Sequence, residues 1–519
     1  MTLEAQHHTA PRRPVPGSHP GLVPASIQRQ GAVDTRTPFT VPGSTRLPKS
    51  ATRAEHAFQR ASEPEYDAWI SHVRPAAACS HPVRLAGEVA TFDTRTGALL
   101  SSVQTADLPD GEIYKPCGNR RTEVCPSCAE TYRGDAYQLI RTGLVGGRGV
   151  PESVNRHPAV FLTLTAPSFG LVHTRRTGKD NRALRCRPRR IPELCPHGVD
   201  LRCDRIHDAD ERALGLPLCL DCYDHDHQVV WNHHASELWR RTTIALNREL
   251  RRIARSRGIS PRLIRLAYGK VAEFQRRGVV HFHVIVRLDG VDPLDKDAIL
   301  PPPAELGLTD LAGGIAHAHH VAGLFTEPHP ANPNGWPIAW GEQVDARPLR
   351  LDGGDAITDG MVAGYLAKYA TKSTETTGHL SRRLTTDTID LHADPAGTHV
   401  ERLVDACWTL GGPRGWGLLR RWAHMLGFGG HFLTKSRRYS VTFRVLRERR
   451  IIWARTQAAE LADEHQLETT LVVGLLQYAG SGWRTTGDAM LANTAAAQAR
   501  EYARIAREEI AHEDAATSA

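Results

Sequence analysis

Three features common among large proteins are missing from this 519-residue sequence. No segment is apolar over the roughly 20 residues that a membrane-spanning helix needs, and no apolar signal core follows the basic residues near the start. We therefore expect a cytoplasmic protein without a membrane partner. No Gly-x4-Gly-Lys-Ser/Thr phosphate-binding loop occurs either, so we expect no hydrolysis of nucleoside triphosphates.

Lysine is scarce, since it supplies only 8 of the 65 basic residues. Two of the eight, Lys368 and Lys372, nevertheless lie four positions apart. The net charge is +8 and the isoelectric point about 9.0. Such a balance favours a polyanionic partner, because neutralised phosphates release their condensed counterions. Many basic proteins bind no nucleic acid, so the charge alone does not decide the function.

Cysteines are confined to one part of the chain. Nine of the ten lie between Cys79 and Cys222. Clustered thiols in a cytosolic protein indicate metal sites rather than disulfides, with unligated thiols as the alternative. Two four-cysteine zinc sites are predicted: Cys79, Cys117, Cys125 and Cys128, with His81 as a substitute for Cys79; and Cys195, Cys203, Cys219 and Cys222, within a group that also holds Cys186, His197 and His207. Sites closed by four cysteines leave no open position for a substrate, so we expect both to be structural.

Composition and periodicity predict an α+β protein of five segments. These are a disordered basic arm (1–60), a Cys-rich element (61–150), a core (151–400) with a Cys/His-rich insertion at about 173–227, a basic extension (401–450) and a helical tail (451–519). The core is predicted to contain a strand at 160–165, a long helix at about 229–257, a β-hairpin at 263–288 and a Pro/Gly-rich loop at about 289–357.

The second strand of the hairpin carries the sequence His281-Phe282-His283. Alternate side chains share one face of a strand, so the two imidazoles project together. We expect the third ligand to come from the preceding strand, with Glu273 favoured and Gln275 in reserve. A His/His/carboxylate set with open positions suits Mg²⁺ or Mn²⁺. The alternative is a half-exposed His-x-His that binds nothing.

A predicted helix at 358–371 carries two overlapping Tyr-x-x-Lys units. Residues four apart are neighbours on a helix, so Tyr365 lies beside Tyr369, and Lys368 beside Lys372. A phenol with a pKa near 10 is a poor nucleophile at neutral pH, and adjacent ammonium groups favour the phenolate. The alternative is an amphipathic helix with packed tyrosines and solvated lysines.

The order of these motifs resembles that of HUH endonucleases of the two-tyrosine branch. The strand Val-Phe-Leu-Thr-Leu-Thr (160–165), the His-x-His strand and the tyrosine helix follow one another as in their replication initiators. The segments 125–132, 165–170 and 433–440 resemble RepSA-type initiators of actinomycete integrative plasmids, over about residues 70–450. The resemblance implies an HUH core with a central antiparallel sheet flanked by helices.

The same resemblance implies a function. It is a metal-dependent nick at a plasmid origin, which leaves a 3′-hydroxyl primer and a 5′-phosphotyrosine. Because the sequence has no phosphate-binding loop, we expect a host helicase to unwind the strands. Related one-tyrosine initiators have a Glu at the position of Tyr365, so the resemblance makes Tyr369 the first nucleophile and Tyr365 the second. Lys368 and Lys372 would orient the scissile phosphate.

A basic segment near residue 440 is a candidate for DNA contact. Lys435, Arg437 and Arg438 share a predicted strand with the aromatic residues Tyr439 and Phe443, a mixture found on single-strand binding surfaces; a solvated edge strand is the alternative. Two other functions remain open from the sequence. One is an HUH transposase or relaxase, and the other is a zinc-containing DNA-binding regulator without catalysis.

Overall fold

Helices and antiparallel sheets build the part of the chain that the computed structural model describes, which is residues 51–178, 180–349, 359–371, 382–462 and 470–517. The α-helices are α1 (Arg53–Ala61), α2 (Tyr66–Val73), α3 (Pro126–Val145), α4 (His225–Ser256), α5 (Leu308–Val321), α6 (Asp359–Thr371), α7 (His399–Leu410), α8 (Leu418–Arg421), α9 (Phe443–Ala462) and α10 (Thr486–Thr517). No helix among these residues is both long and apolar enough to cross a membrane.

The strands are β1 (Val83–Asp93), β2 (Leu99–Gln104), β3 (Ile113–Lys115), β4 (Ala159–Leu164), β5 (Arg176–Thr177), β6 (Ala183–Leu184), β7 (Ile264–Phe274), β8 (Val280–Gly290), β9 (Gly323–Phe325), β10 (Pro337–Ala339), β11 (Val344–Pro348), β12 (Leu433–Lys435) and β13 (Thr470–Ser481). The five-stranded sheet has the order β11-β4-β8-β7-β12, and all its neighbours are antiparallel. The predicted α+β class with a central antiparallel sheet is therefore confirmed, and the His-x-His strand β8 lies at its centre.

Helices cover both faces of this sheet. Alternate residues of β8, among them Phe282 and Val284, pack in one core with Trp231 and Leu238 of α4. Asp224 caps α4 by accepting a hydrogen bond from the backbone N–H of His227, which fixes where the helix begins. The opposite face packs on α3 and α6 in a second core, to which β8 contributes Ile285. Since Ile285 and His283 are two residues apart, the imidazoles face the side of the sheet that α6 covers.

A second sheet joins distant parts of the chain. It has the order β13-β1-β2, with β3 also paired to β1. Strand β13 lies within the segment predicted to be wholly helical after residue 451, so that prediction is wrong there. Its apolar residues occur in a run instead of alternating, and its pairing with β1 along 11 residues decides its conformation. The Cys-rich element at 61–150 likewise contains the strands β1, β2 and β3.

Two further predictions of local structure are corrected. The predicted loop at 289–357 contains α5 and the strands β9, β10 and β11. The predicted basic strand that follows Lys435 is wrong, since β12 ends at that residue and a turn leads into α9 at Phe443. Tyr439 in this turn is fully buried between two glycines, Gly143 and Gly269, where an added Cβ would meet its ring within 3 Å. Anchoring of this ring favours the turn over a continued strand.

Lys270 of β7 is buried on the sheet face that packs against α4. Its Nζ lies 3.7 Å from the centroid of the Phe282 ring, and burial lowers the pKa of Lys270 to about 7. The unfolded chain keeps the proton up to about pH 10.4, so the free energy of unfolding should rise with pH between these two values. Below pH 7 both states are protonated, and the native state bears the full cost of the buried charge.

Replacing Lys270 with Met should therefore stabilise the protein at low pH. We expect the free energy of unfolding to increase by about 2–3 kcal/mol at pH 6 and the gain to shrink towards pH 10. Urea unfolding at pH 6, 8 and 10 measures both values. The exposed Lys296→Met variant is the control and should show no such trend. A gain that is equal at all three pH values would contradict the titration of Lys270.

Candidate active site

The β7–β8 hairpin brings three ionisable side chains to one point. Its register pairs Glu273 with His281 and Val271 with His283, so all three side chains project from one face. Oε2 of Glu273 lies 3.0 Å from Nε2 of His281 and 3.3 Å from Nε2 of His283. The reserve candidate Gln275 lies at the edge of the group, with its amide nitrogen 3.4 Å from Nδ1 of His281. The predicted set of three could hold a metal ion.

Residues of the neighbouring strand β4 hold His283 in place. Thr163 is paired with His283, and its Oγ1 lies 3.1 Å from Nδ1 of the imidazole. A proton on Nδ1, donated to this hydroxyl, leaves the lone pair of Nε2 directed towards Glu273. Phe161 stacks on the same ring with the centroids 5.9 Å apart. Sequence reasoning identified this strand but neither residue, although alternation along 160–165 already placed both on one face.

Helix α6 presents its exposed face to this group. Its buried side chains, Val362, Ala363, Leu366 and Ala367, belong to the core between α3 and the sheet. Tyr365 is 41% exposed, and its ring centroid is 5.3 Å from that of His283 in an edge-on arrangement. Lys368 is exposed. Tyr369 lies in the helix one turn further on, its side chain is not described, and Lys372 lies outside the described residues.

One basic residue that the sequence did not single out lies near this site. Arg347 of β11 is paired with Phe161 of β4, and its side chain is therefore on the face that carries His283. It is 60% exposed, and its hydrogen bond to Asp345 raises the pKa of its guanidinium, with a smaller contribution from Tyr365. Nothing in the isolated sequence distinguishes Arg347 from the many other arginines.

Four cysteines gather where α3 begins. Cys79, Cys117, Cys125 and Cys128 form a group that could hold a metal ion, so the structure selects Cys79 over His81. The Sγ atoms of Cys125 and Cys128 each lie 3.8 Å from that of Cys79. Tetrahedral Zn²⁺, with Zn–S bonds of about 2.3 Å, places two sulfur ligands about 3.8 Å apart. The group therefore has the dimensions of the predicted zinc site.

The second predicted cysteine group is divided in the structure. Cys195, Cys219 and Cys222 gather with His197, whose Nδ1 is 3.2 Å from Sγ of Cys222. Cys203 lies in another group instead, which is a correction to the predicted set. Its backbone pairs with that of Arg187, so Cys203 is held beside Cys186. Long-range pairing of this kind cannot be deduced from cysteine spacing.

The three basic residues predicted to contact DNA differ in their surroundings. Nζ of Lys435 donates to the backbone carbonyls of Ser436 and Arg437, and burial lowers its pKa. Arg438 forms an ion pair with Asp297. Arg437 is exposed. Of the three, Arg437 has the side chain most accessible to a large polyanion.

Comparison with known proteins identifies the family. The RepSA family, described as "Replication initiator protein, pSAM2", matches residues 65–497. A curated replication initiator protein from Streptomyces ambofaciens is 42% identical over 458 residues, which cover 87% of this chain and 94% of that protein. No solved structure matches. The matched range includes the metal-ligand candidates and the tyrosine helix, and the chain belongs to the RepSA family of replication initiator proteins.

Proposed function

We propose that this initiator nicks one strand of a plasmid origin by metal-dependent tyrosine transesterification, and so starts rolling-circle replication as an HUH endonuclease. The observation that carries the proposal is the contact of Tyr365 with His283, whose Nε2 faces the same oxygen of Glu273 as His281 does. A phenol, two imidazoles and a carboxylate gathered on one face of the sheet have the composition that the reaction needs.

Glu273, His281 and His283 would hold Mg²⁺ or Mn²⁺. Two imidazoles and a carboxylate suit such ions and leave positions for phosphate oxygens. Both Nε2 atoms approach one carboxylate oxygen, which fits a set arranged around a common cation. When bound, the cation polarises a phosphate oxygen and stabilises the charge that develops on it.

The tyrosines of α6 would form the covalent link to the cleaved DNA strand. In the proposed step, Oη of Tyr369 forms a bond to phosphorus, the bond from phosphorus to the 3′ oxygen breaks, and that oxygen takes a proton from water. The phenolic proton leaves to solvent. Lys368 and Lys372 would orient the phosphate and favour the phenolate. Tyr365 would act as the second nucleophile, which ends a round of replication by the same exchange.

Exposed cations would guide the DNA. Arg347 shares a sheet face with His283, and Arg437 follows the edge strand β12. Phosphate contacts of this kind set the register of a nucleic acid without reading its sequence. The cysteine groups would bind Zn²⁺ and hold the loops on which no large core forms. Because the sequence has no phosphate-binding loop, a host helicase would supply unwinding.

Formation of a covalent adduct tests the proposal. Labelled single-stranded oligonucleotides that tile both strands of the replicon are incubated with the full chain and Mn²⁺, then run on a denaturing gel. We expect one oligonucleotide to give a protease-sensitive adduct and a shortened product with a free 3′ hydroxyl. EDTA should prevent both. Binding of the origin without an adduct from any oligonucleotide would instead identify the non-catalytic regulator.

Family membership bears on the other candidates. A replication initiator acts at an origin, which favours the initiator over the HUH transposase and the relaxase. Purified protein should also lack ATPase activity, with and without DNA. Measured ATP hydrolysis that copurifies with the chain would contradict the need for a separate helicase.

A further inference from the structure

The Cys/His-rich insertion contains a group that no spacing rule anticipates. His173, Cys186, Cys203 and His207 each offer one ligand atom, and these atoms lie within 4.8 Å of one another. Three of the four residues are buried. This group is called the Cys2His2 cluster below. We propose that it is a third zinc site, and that it holds the turn between β7 and β8 in position.

Distances in the Cys2His2 cluster fit tetrahedral zinc. Sγ of Cys203 lies 3.5 Å from Nε2 of His207. With Zn–S of about 2.3 Å and Zn–N of about 2.0 Å, tetrahedral angles place a sulfur and a nitrogen ligand about 3.5 Å apart. The backbone N–H of Thr174 donates to Sγ of Cys186 at 3.1 Å. Such a bond stabilises a thiolate, which is the form that binds the metal.

The two histidines of the cluster differ in the hydrogen bonding of their ring nitrogens. Nδ1 of His207 lies 2.8 Å from Oε2 of Glu211, so a proton on Nδ1 leaves Nε2 as the atom directed at Cys203. A carboxylate behind an imidazole is the usual second partner of a zinc-bound histidine. Nδ1 of His173 is buried and has no hydrogen-bond partner within the described ranges. A buried nitrogen without a partner is costly, and a cation bound at this Nδ1 would remove that cost.

Contacts connect the Cys2His2 cluster to the hairpin turn. The guanidinium of Arg276, in the turn between β7 and β8, donates to the backbone carbonyls of Glu211 at 2.8 Å and Ala209 at 2.6 Å. Gly215 has φ +84°, and a Cβ there would lie 2.7 Å from Cβ of Arg276. The loop can approach the turn this closely only because residue 215 is glycine.

The hairpin turn also contacts the candidate active site. Arg277 donates from Nε to Oε1 of Gln275 at 3.0 Å, and the amide nitrogen of Gln275 lies 3.4 Å from Nδ1 of His281. A zinc ion that holds residues 207–215 in place would therefore also hold the hairpin turn in place. Through the turn it would position Gln275, which contacts the predicted metal ligand His281. The zinc itself would have no open position and no part in the chemistry.

Zinc content of the purified full chain tests the site directly. We expect Cys203→Ser to contain one zinc per chain less than wild type, measured by mass spectrometry of the metal. Cys407→Ala is the matched control, since Cys407 is a buried thiol outside all three groups, and its content should not change. Cys203→His keeps a ligand and should retain the zinc. Equal zinc content in wild type and Cys203→Ser would overturn the proposal.

A milder variant covers the case in which Cys203→Ser does not fold. Glu211→Gln should keep the zinc but weaken its retention against a chelator by about 10–100-fold for one ion per chain. Glu237→Gln is the control, since the Glu237 carboxylate pairs with Arg240 outside the cluster, and it should have no effect. Unchanged retention in Glu211→Gln would contradict the proposed support of the zinc ligand His207 by the Glu211 carboxylate.

Hydrogen exchange on the same samples tests the link to the hairpin. Amides of residues 275–279 should exchange faster in Cys203→Ser, and also in Arg276→Ala, which should keep all of its zinc. X-ray absorption of the wild-type zinc should show nine sulfur and three nitrogen ligands over three sites. Loss of zinc with unchanged exchange at the turn would contradict the positioning role.

Discussion

Replacing His283 with Ala should abolish DNA cleavage while DNA binding persists. The imidazole supplies one of three proposed ligands, and with two left the cation would be held weakly and out of place. We expect the rate of adduct formation to fall by a factor on the order of 10³ or more. Single-turnover cleavage of the reactive oligonucleotide measures this rate, and a filter-binding assay without divalent cation measures the affinity for DNA.

Two further variants make the metal interpretation specific. His320→Ala, an exposed histidine of α5, should cleave at the wild-type rate. Thr163→Val removes the hydroxyl that faces Nδ1 of His283 and should raise the Mn²⁺ concentration needed for half-maximal rate by about 10–100-fold. Cleavage that survives both His281→Ala and His283→Ala would place the metal elsewhere.

Replacing Tyr369 with Phe should abolish the first covalent adduct. Phenylalanine keeps the ring but lacks the oxygen that would bond to phosphorus, so the remaining rate should be lower by a factor on the order of 10³ or more. Tyr365→Phe should still form the first adduct and lose the second strand transfer, measured with an oligonucleotide that regenerates the cleaved site. Tyr478→Phe, an exposed residue of β13, is the control and should behave as wild type.

The opposite result has a definite meaning. If Tyr365→Phe abolishes the first adduct and Tyr369→Phe spares it, the assignment from the one-tyrosine initiators is wrong for this chain. The edge-on contact of Tyr365 with His283 would then identify the residue nearest the proposed metal as the first nucleophile. Full first cleavage in the double Tyr→Phe variant would exclude α6 as the source of the nucleophile.

The hairpin, the helix α6 and the three metal-ligand candidates could be predicted because their signals are local. The turn at residues 275–279 fixes which residue of β7 opposes His281, so the position of Glu273 follows from a few neighbours. For α6, a spacing of four residues is enough to predict which side chains are neighbours on the helix. In each case the interacting groups are close in sequence and one periodicity determines the geometry.

Other parts of the fold depend on tertiary contacts that no local sequence pattern indicates. Helix α5 contains the pair Gly313-Gly314, which lowers its intrinsic helix propensity. A Cβ at Gly314 would lie 3.0 Å from Cδ1 of Leu246 and 3.3 Å from Cδ2 of Leu250, so glycine permits close packing on α4. Tertiary packing outweighs local preference here. Tertiary structure also decides how the cysteines are grouped, because backbone pairing with Arg187 places Cys203 in its group.

Pairing of β13 with β1 has a consequence for the order of folding during synthesis. The two strands are separated by more than 370 residues, so β1 lacks its longest neighbour until translation is nearly finished. Contacts of such high sequence separation form late, and a strand is prone to aggregation until its partner strand has been synthesised. The indole N–H of Trp483, just after β13, donates to the backbone carbonyl of Cys79 at 2.9 Å. A chain that ended before residue 470 would therefore lack both the strand that pairs with β1 and this support of the first cysteine group.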